Sequence, residues 1–179
     1  MTLLNTNKKY GAIHMLLHWT MAFLIISLLC VGLYMKSVPY DATLYFFHKS
    51  FGVLIFILAT FRIIWKLTNK KPEFDSKISL KIRLLSQLGT FGLYGLIISM
   101  PLTGILMSAF AGYTIPYFGI FEIAPFVSAN VTYASFFKGA HDVLATIFMV
   151  LILMHTIMAI VHHFIFKDNT LRKMLPSRA

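Results

Sequence analysis

A chain of 179 residues that is 58% hydrophobic and only 12% charged, with a mean hydropathy of +0.77, carries more apolar surface than a soluble domain of that length can bury. It reads as an integral membrane protein. A single cysteine, Cys30, excludes internal disulfides and any cysteine-based zinc or iron–sulfur cage, and the formal charge of +10 lies in short clusters at the ends of apolar runs, which suits membrane orientation and not nucleic-acid binding.

Four membrane spans follow in chain order. The first, at about 12–34, is preceded by Lys8 and Lys9; with no A-x-A cleavage pattern it reads as a retained helix. It carries His14 and His18 near its start. The second, at about 43–67, carries His48 near its start and Arg62 near its end. A basic loop, TNKKPEFDSKISLK, with Pro72 as a breaker, leads to the third, at about 82–110. That span has no histidine but contains Gly89, Gly92, Gly95 and Gly104, which permit close approach of a helix or cofactor. The connection AGYTIPYFGIFEIAPFVSANVTYASFF is aromatic and almost uncharged; it suits either an interfacial segment or a lid over the helix ends. The fourth span, at about 138–166, holds His141, His155, His162 and His163.

Thirteen of the sixteen Lys and Arg residues fall on one side of this layout, leaving Lys36, Lys49 and Lys138 on the other. The expectation is a single-domain, all-α, four-helix bundle over 1–179, multi-pass in a membrane, with both termini cytoplasmic.

A ring nitrogen in hydrocarbon is costly unless it hydrogen-bonds or binds a metal. His141 and His155 stand 14 residues apart, within about 40° of four full turns and about 21 Å along the axis. Their rings share one helix face, one near each side of the membrane. The span directions place His18 at the depth of His155 and His48 at the depth of His141. Two imidazoles from facing helices are what a six-coordinate b-type haem requires, so two haems stacked across the bilayer are expected, with His18, His155, His48 and His141 as axial iron ligands. His14, one turn before His18, competes for the same role, and depth favours His18. Gly32, 14 residues after His18, would leave room for the outer porphyrin; Arg62, 14 residues after His48, would meet an inner propionate. His162, seven residues after His155, is either an interfacial histidine or a neighbour of the inner haem or a quinone.

The residues resemble the bacterial cytochrome b561 family of four-helix di-haem membrane cytochromes, and within it the superoxide oxidase type. The resemblance rests on HW at His18–Trp19, FHKSFG around His48, FRIIWKL at Arg62 and MPLTGILM around Pro101. It extends through KGAHDVLA at His141, LMHTIMAIVHH from His155 and KDNTLRKMLP near the C-terminus, and so covers nearly the whole chain. It implies an oxidoreductase that takes electrons from superoxide outside and reduces ubiquinone, with His162 and Lys167 near a quinone. Lys49 and Lys138 are candidates for steering the anion, although Asp41, Glu122 and Asp142 nearly balance the outer charge. In SQLGTFGLY, Gln87 and Thr90 stand where the family likeness leads one to expect histidine.

Two rivals remain at this point. One is a cytochrome b anchor relaying electrons from a separate dehydrogenase or hydrogenase to quinone. The other is a colourless proton or metal transporter, although no broken-helix repeat is present. A zinc protease has no H-E-x-x-H to build on.

Overall fold

Polar residues just ahead of the apolar runs set where the helices begin. The Asp41 carboxylate accepts from the backbone N–H groups of Thr43 and Leu44 at 2.7 and 3.1 Å, opening one helix. Ser79 accepts from Ile82 N at 3.5 Å and Asn130 from Tyr133 N at 3.1 Å, opening two others. The first helix has Gly11 at its cap, and its free N–H groups bond instead to Asn5 Oδ1 and Thr2 O, each at 2.9 Å. A Cβ at Gly11 would collide with the backbone of Leu3 and Leu4, which fold across it.

The computed structural model describes residues 2–73 and 78–176; Lys77 and Arg178 of the basic clusters lie outside the described residues. The helices are α1 (Ala12–Met35), α2 (Ala42–Thr68), α3 (Leu80–Phe110) and α4 (Val131–Phe164). All four are long and apolar enough to cross a membrane. Large side chains such as Phe23, Phe91 and Leu153 point outward, as a bilayer solvent allows.

The first three helices match the predicted spans to within two residues, but α4 starts seven residues before the predicted Lys138. Asn130 caps it there, and its own N–H bonds to Phe110 O at 2.8 Å, coupling the end of α3 to the start of α4. Phe110 stacks on Phe137 across this junction at 5.6 Å. The rest of the connection is a hairpin, β1 (Ile115–Tyr117) paired antiparallel with β2 (Phe121–Ile123) through a turn in which Phe118 and Gly119 take φ of 52° and 73°. Ser50, completely buried, donates to Pro116 O and accepts from Phe118 N, both at 3.1 Å. The segment is therefore a lid bound to α2.

At the opposite end both terminal segments fasten to the rest of the chain, the N-terminal one to the α2–α3 connection and the C-terminal one to that connection and to α1. Trp19 Nε1 donates to Met174 O at 2.8 Å and Asn5 Nδ2 to Lys70 O at 2.9 Å, while Glu73 N donates to Asn7 O and its carbonyl accepts from Lys173. Between the two ends lies the core: Met21, Ile25, Ile55, Ala59, Leu96, Ile97 and Phe148. α4 packs along α3 and stands off from α1 and α2. That stand-off leaves the space in which the histidines meet.

Candidate functional site

Seven residues advance a helix by about 10.5 Å and return to within about 20° of the same face. Three helices use this interval twice. α1 places His18, Ile25 and Gly32 in line; α2 places His48, Ile55 and Arg62; α4 places His141, Phe148 and His155. Because α2 runs against α1, the lines stack as three layers. Gly32, His48 and His141 are at the hairpin end, the buried Ile25, Ile55 and Phe148 are in the middle, and His18, Arg62 and His155 are at the terminal end.

In the hairpin-end layer the rings of His48 and His141 lie 6.4 Å apart, steeply inclined at 74°. His141 Nδ1 is 3.1 Å from Met100 O and 3.1 Å from Thr103 Oγ1. The carbonyl can only accept, and the Thr103 hydroxyl proton is directed to the same carbonyl at 2.8 Å, so Nδ1 carries the proton and Nε2 presents its lone pair. Gly104 permits this approach: a Cβ there would stand 3.2 Å from His141 Cε1. Gly32 faces the partner ring, where a Cβ would lie 3.5 Å from His48 Cε1. An apolar, partly open pocket adjoins the pair, lined among others by Ile25, Gly52, Pro101 and Phe148.

At the terminal end, His18 and His155 lie 6.3 Å apart at 68°. Arg62 Nη2 donates to His18 Nδ1 at 2.8 Å, and its guanidinium carbon lies 5.7 Å from the Tyr94 ring centre, with Lys66 Nζ at 3.6 Å from the same ring. The ring facing His155 belongs to His18. His14 stacks instead on Tyr10 at 4.2 Å, and its Nδ1 is buried without a partner.

His162 is buried, and its Nδ1 meets Asp168 Oδ2 at 2.5 Å. Burial, the largest single influence on the Asp168 carboxyl, pushes its pKa up; hydrogen bonds from His162 and Thr170 together outweigh it and hold the group below the usual carboxylate value. Sequence reasoning missed Asp168, whose signal is an acid six residues beyond His162, just past the helix. Lys167 is exposed, with a left-handed φ of 52° that turns the chain so that Asp168 reaches back. Lys49 Nζ reaches Thr114 O at 3.4 Å under the hairpin, while Lys138 is paired with Asp142 at 3.2 Å. Lys36 holds the same carboxylate at 2.7 Å, so the trio carries one net positive charge.

The family model described as prokaryotic cytochrome b561 matches residues 9–177. The chain belongs to this family. It is 32% identical to cytochrome b561 homolog 2 of Escherichia coli K12, over 98% of this chain and 95% of that protein. It is 31% identical to the probable superoxide oxidase CybB of Yersinia pestis, over 96% and 98%, and 28% identical to E. coli cytochrome b561 homolog 1, over 96% and 99%. It is thus a multi-pass bacterial membrane protein of an electron-transfer family whose members imply b-type haem.

The residues present fit that group. A metal–imidazole bond is about 2.0–2.1 Å and a ring centre lies about 1.1 Å beyond its nitrogen, so two axial rings on one metal stand about 6.3 Å apart. Both pairs have this separation. Among the described residues no three His, Cys, Asp or Glu side chains converge, so each pair offers two ligands, the number needed by an iron already held by four porphyrin nitrogens. The proton on His141 Nδ1, directed at a backbone carbonyl, is the arrangement that fixes a metal-ligating tautomer.

Proposed function

We propose that the chain is a di-haem b-type electron carrier that oxidises superoxide on the outer side of the bacterial inner membrane and reduces ubiquinone, with both termini cytoplasmic. The observation that carries this reading is the presence of two histidine pairs, at 6.3 and 6.4 Å, held 14 residues apart along α4. His48 and His141 would hold the outer group and His18 and His155 the inner one, with the whole of 1–179 acting as one domain. Bound there, the haems supply one-electron chemistry; the protein supplies ligation, spacing and a dry surround.

The overall reaction balances as two superoxide anions, one ubiquinone and two protons giving two dioxygen molecules and ubiquinol. Each substrate places a demand on the protein. Superoxide is an anion, and among the described residues Lys49 has no carboxylate partner; it stands beside His48 at the lid. Lys138, tied to Asp142, contributes less to the attraction. Quinone reduction consumes protons, and the buried His162–Asp168 pair at the cytoplasmic end is a hydrogen-bonded route by which one can be delivered. Lys167, exposed beside it, adds positive charge at the same mouth. Similarity to the probable superoxide oxidase supports the choice of donor.

The test is superoxide-driven ubiquinol formation by the purified holoprotein. The expected result is quinol production that His48→Ala and His155→Ala each abolish. Quinol production that survives both substitutions overturns the reading.

A further inference from the structure

The two histidine pairs have the same ligands and the same separation, but different groups stand against their outer ring nitrogens. We propose that Arg62 and the Met100–Thr103 clamp set the order of reduction potentials, making the terminal-end centre the stronger electron acceptor and so directing electrons from the hairpin end to the terminal end. This rests on the di-haem reading above.

The argument is electrostatic. An iron–bis-imidazole centre gains one negative charge on reduction, so a nearby fixed cation favours the reduced form. A hydrogen bond from a ligand's Nδ1–H to an acceptor makes the imidazole a better donor and favours the oxidised form. At the hairpin end, His141 Nδ1 is held by the Met100 carbonyl and the Thr103 hydroxyl oxygen, both 3.1 Å away. The neighbouring charges there are Asp142, shared by Lys36 and Lys138, together with Lys49. Lys36 and Lys138 are largely exposed and screened by water, and Lys49 directs its ammonium to the hairpin carbonyl of Thr114. None of these cations touches a ring of the pair.

At the terminal end the balance reverses. Arg62 is half-buried and lies 2.8 Å from the His18 ring. A guanidinium does not deprotonate in a protein, so this charge is permanent. An Nε2 ligand carries its remaining proton on Nδ1, where Arg62 can no longer donate. The guanidinium then has the Tyr94 face to rest on, 5.7 Å from its carbon. Should it instead pair with a propionate, it cancels a negative charge near the iron. Either way its loss lowers the potential of this centre.

The experiment is a spectroscopic redox titration of the purified holoprotein, preceded by a haem count. His141→Ala, which leaves the terminal-end centre alone, retains the higher of the two wild-type potentials; His155→Ala retains the lower. Arg62→Gln lowers only the higher potential, shifting the electron distribution between the centres about tenfold toward the hairpin end, or about 59 mV for one electron. Arg62→Lys restores most of the difference, which a merely structural role would not do. Thr103→Val raises only the lower potential, by a smaller amount, because the Met100 carbonyl remains. Fewer than two haems in the wild type overturns the di-haem reading itself. Two haems with the higher potential surviving in His155→Ala, or with both potentials unmoved in Arg62→Gln, overturns this inference and leaves that reading intact. If Arg62→Gln loses haem, the potentials of the two single-haem variants still decide the order.

Discussion

The two ends of this bundle solve one problem with different materials. At the hairpin end, a backbone carbonyl, a threonine hydroxyl and a glycine from α3 fix His141, and a β-hairpin fastened to the buried Ser50 covers the site. At the terminal end, a cation from α2 stands against His18, and the chain's own tails, tied through Trp19, Lys173 and the His162–Asp168 pair, close the surface. A ring held by neutral dipoles and a ring facing a fixed charge differ in how readily an attached metal takes an electron. The difference teaches that two rings paired at the same separation can be backed by neutral dipoles at one end and by a fixed cation at the other.

The largest break in the comparison comes from the four proposed ligands. His48→Ala or His141→Ala should remove the hairpin-end haem alone and His18→Ala or His155→Ala the other, each halving the haem content measured by extraction. Next is Gly104→Val. The added carbons must enter space already filled by His141, since even a Cβ would lie 3.2 Å from its Cε1. The variant should lose most hairpin-end haem while the terminal-end spectrum stays as in wild type; equal loss at both ends would show that Gly104 only supports the bundle.

Some of this was legible in the sequence. The spans follow from long, predominantly apolar runs, and the stacking of the pairs follows from the 14-residue interval on α4, because helix period converts spacing directly into face and depth. The start of α4 was not legible, since Val131–Phe137 follows an aromatic, almost uncharged stretch and its cap is a local hydrogen bond that the Asn130 side chain accepts from Tyr133 N. The clamp on His141 was not legible either. Its acceptors are a main-chain carbonyl and a hydroxyl on a helix without histidine, placed by the packing of α3 on α4. Arg62 was found at the right depth by spacing, yet its nearest partner is the His18 ring, a matter of side-chain reach that spacing does not encode.

Smaller effects sharpen the contrast between the covers. Ser50→Ala leaves Phe118 N and Pro116 O without their buried partner, at a cost of about 1–3 kcal/mol. Hydrogen exchange should rise in the hairpin and remain unchanged at residues 168–176. Asp168→Asn should weaken the opposite cover and slow quinone reduction while leaving haem content intact. Because the Asp168 pKa is depressed in the folded chain, its stabilising contribution is complete above the ordinary carboxylate pKa. It is lost as pH falls through the lower folded value, so the variant should match wild type only in strong acid. The smallest effect is expected from Lys49→Gln, a roughly two- to fivefold fall in the rate with superoxide at low ionic strength that disappears in high salt.

The most direct measurement of the central claim is the haem content of the wild-type chain beside His48→Ala and His155→Ala, with reduced-minus-oxidised spectra of each. The account predicts two b haems per chain in the wild type and one in each variant, with the two variants retaining spectrally distinct centres. One haem in the wild type, or two in either variant, would contradict it.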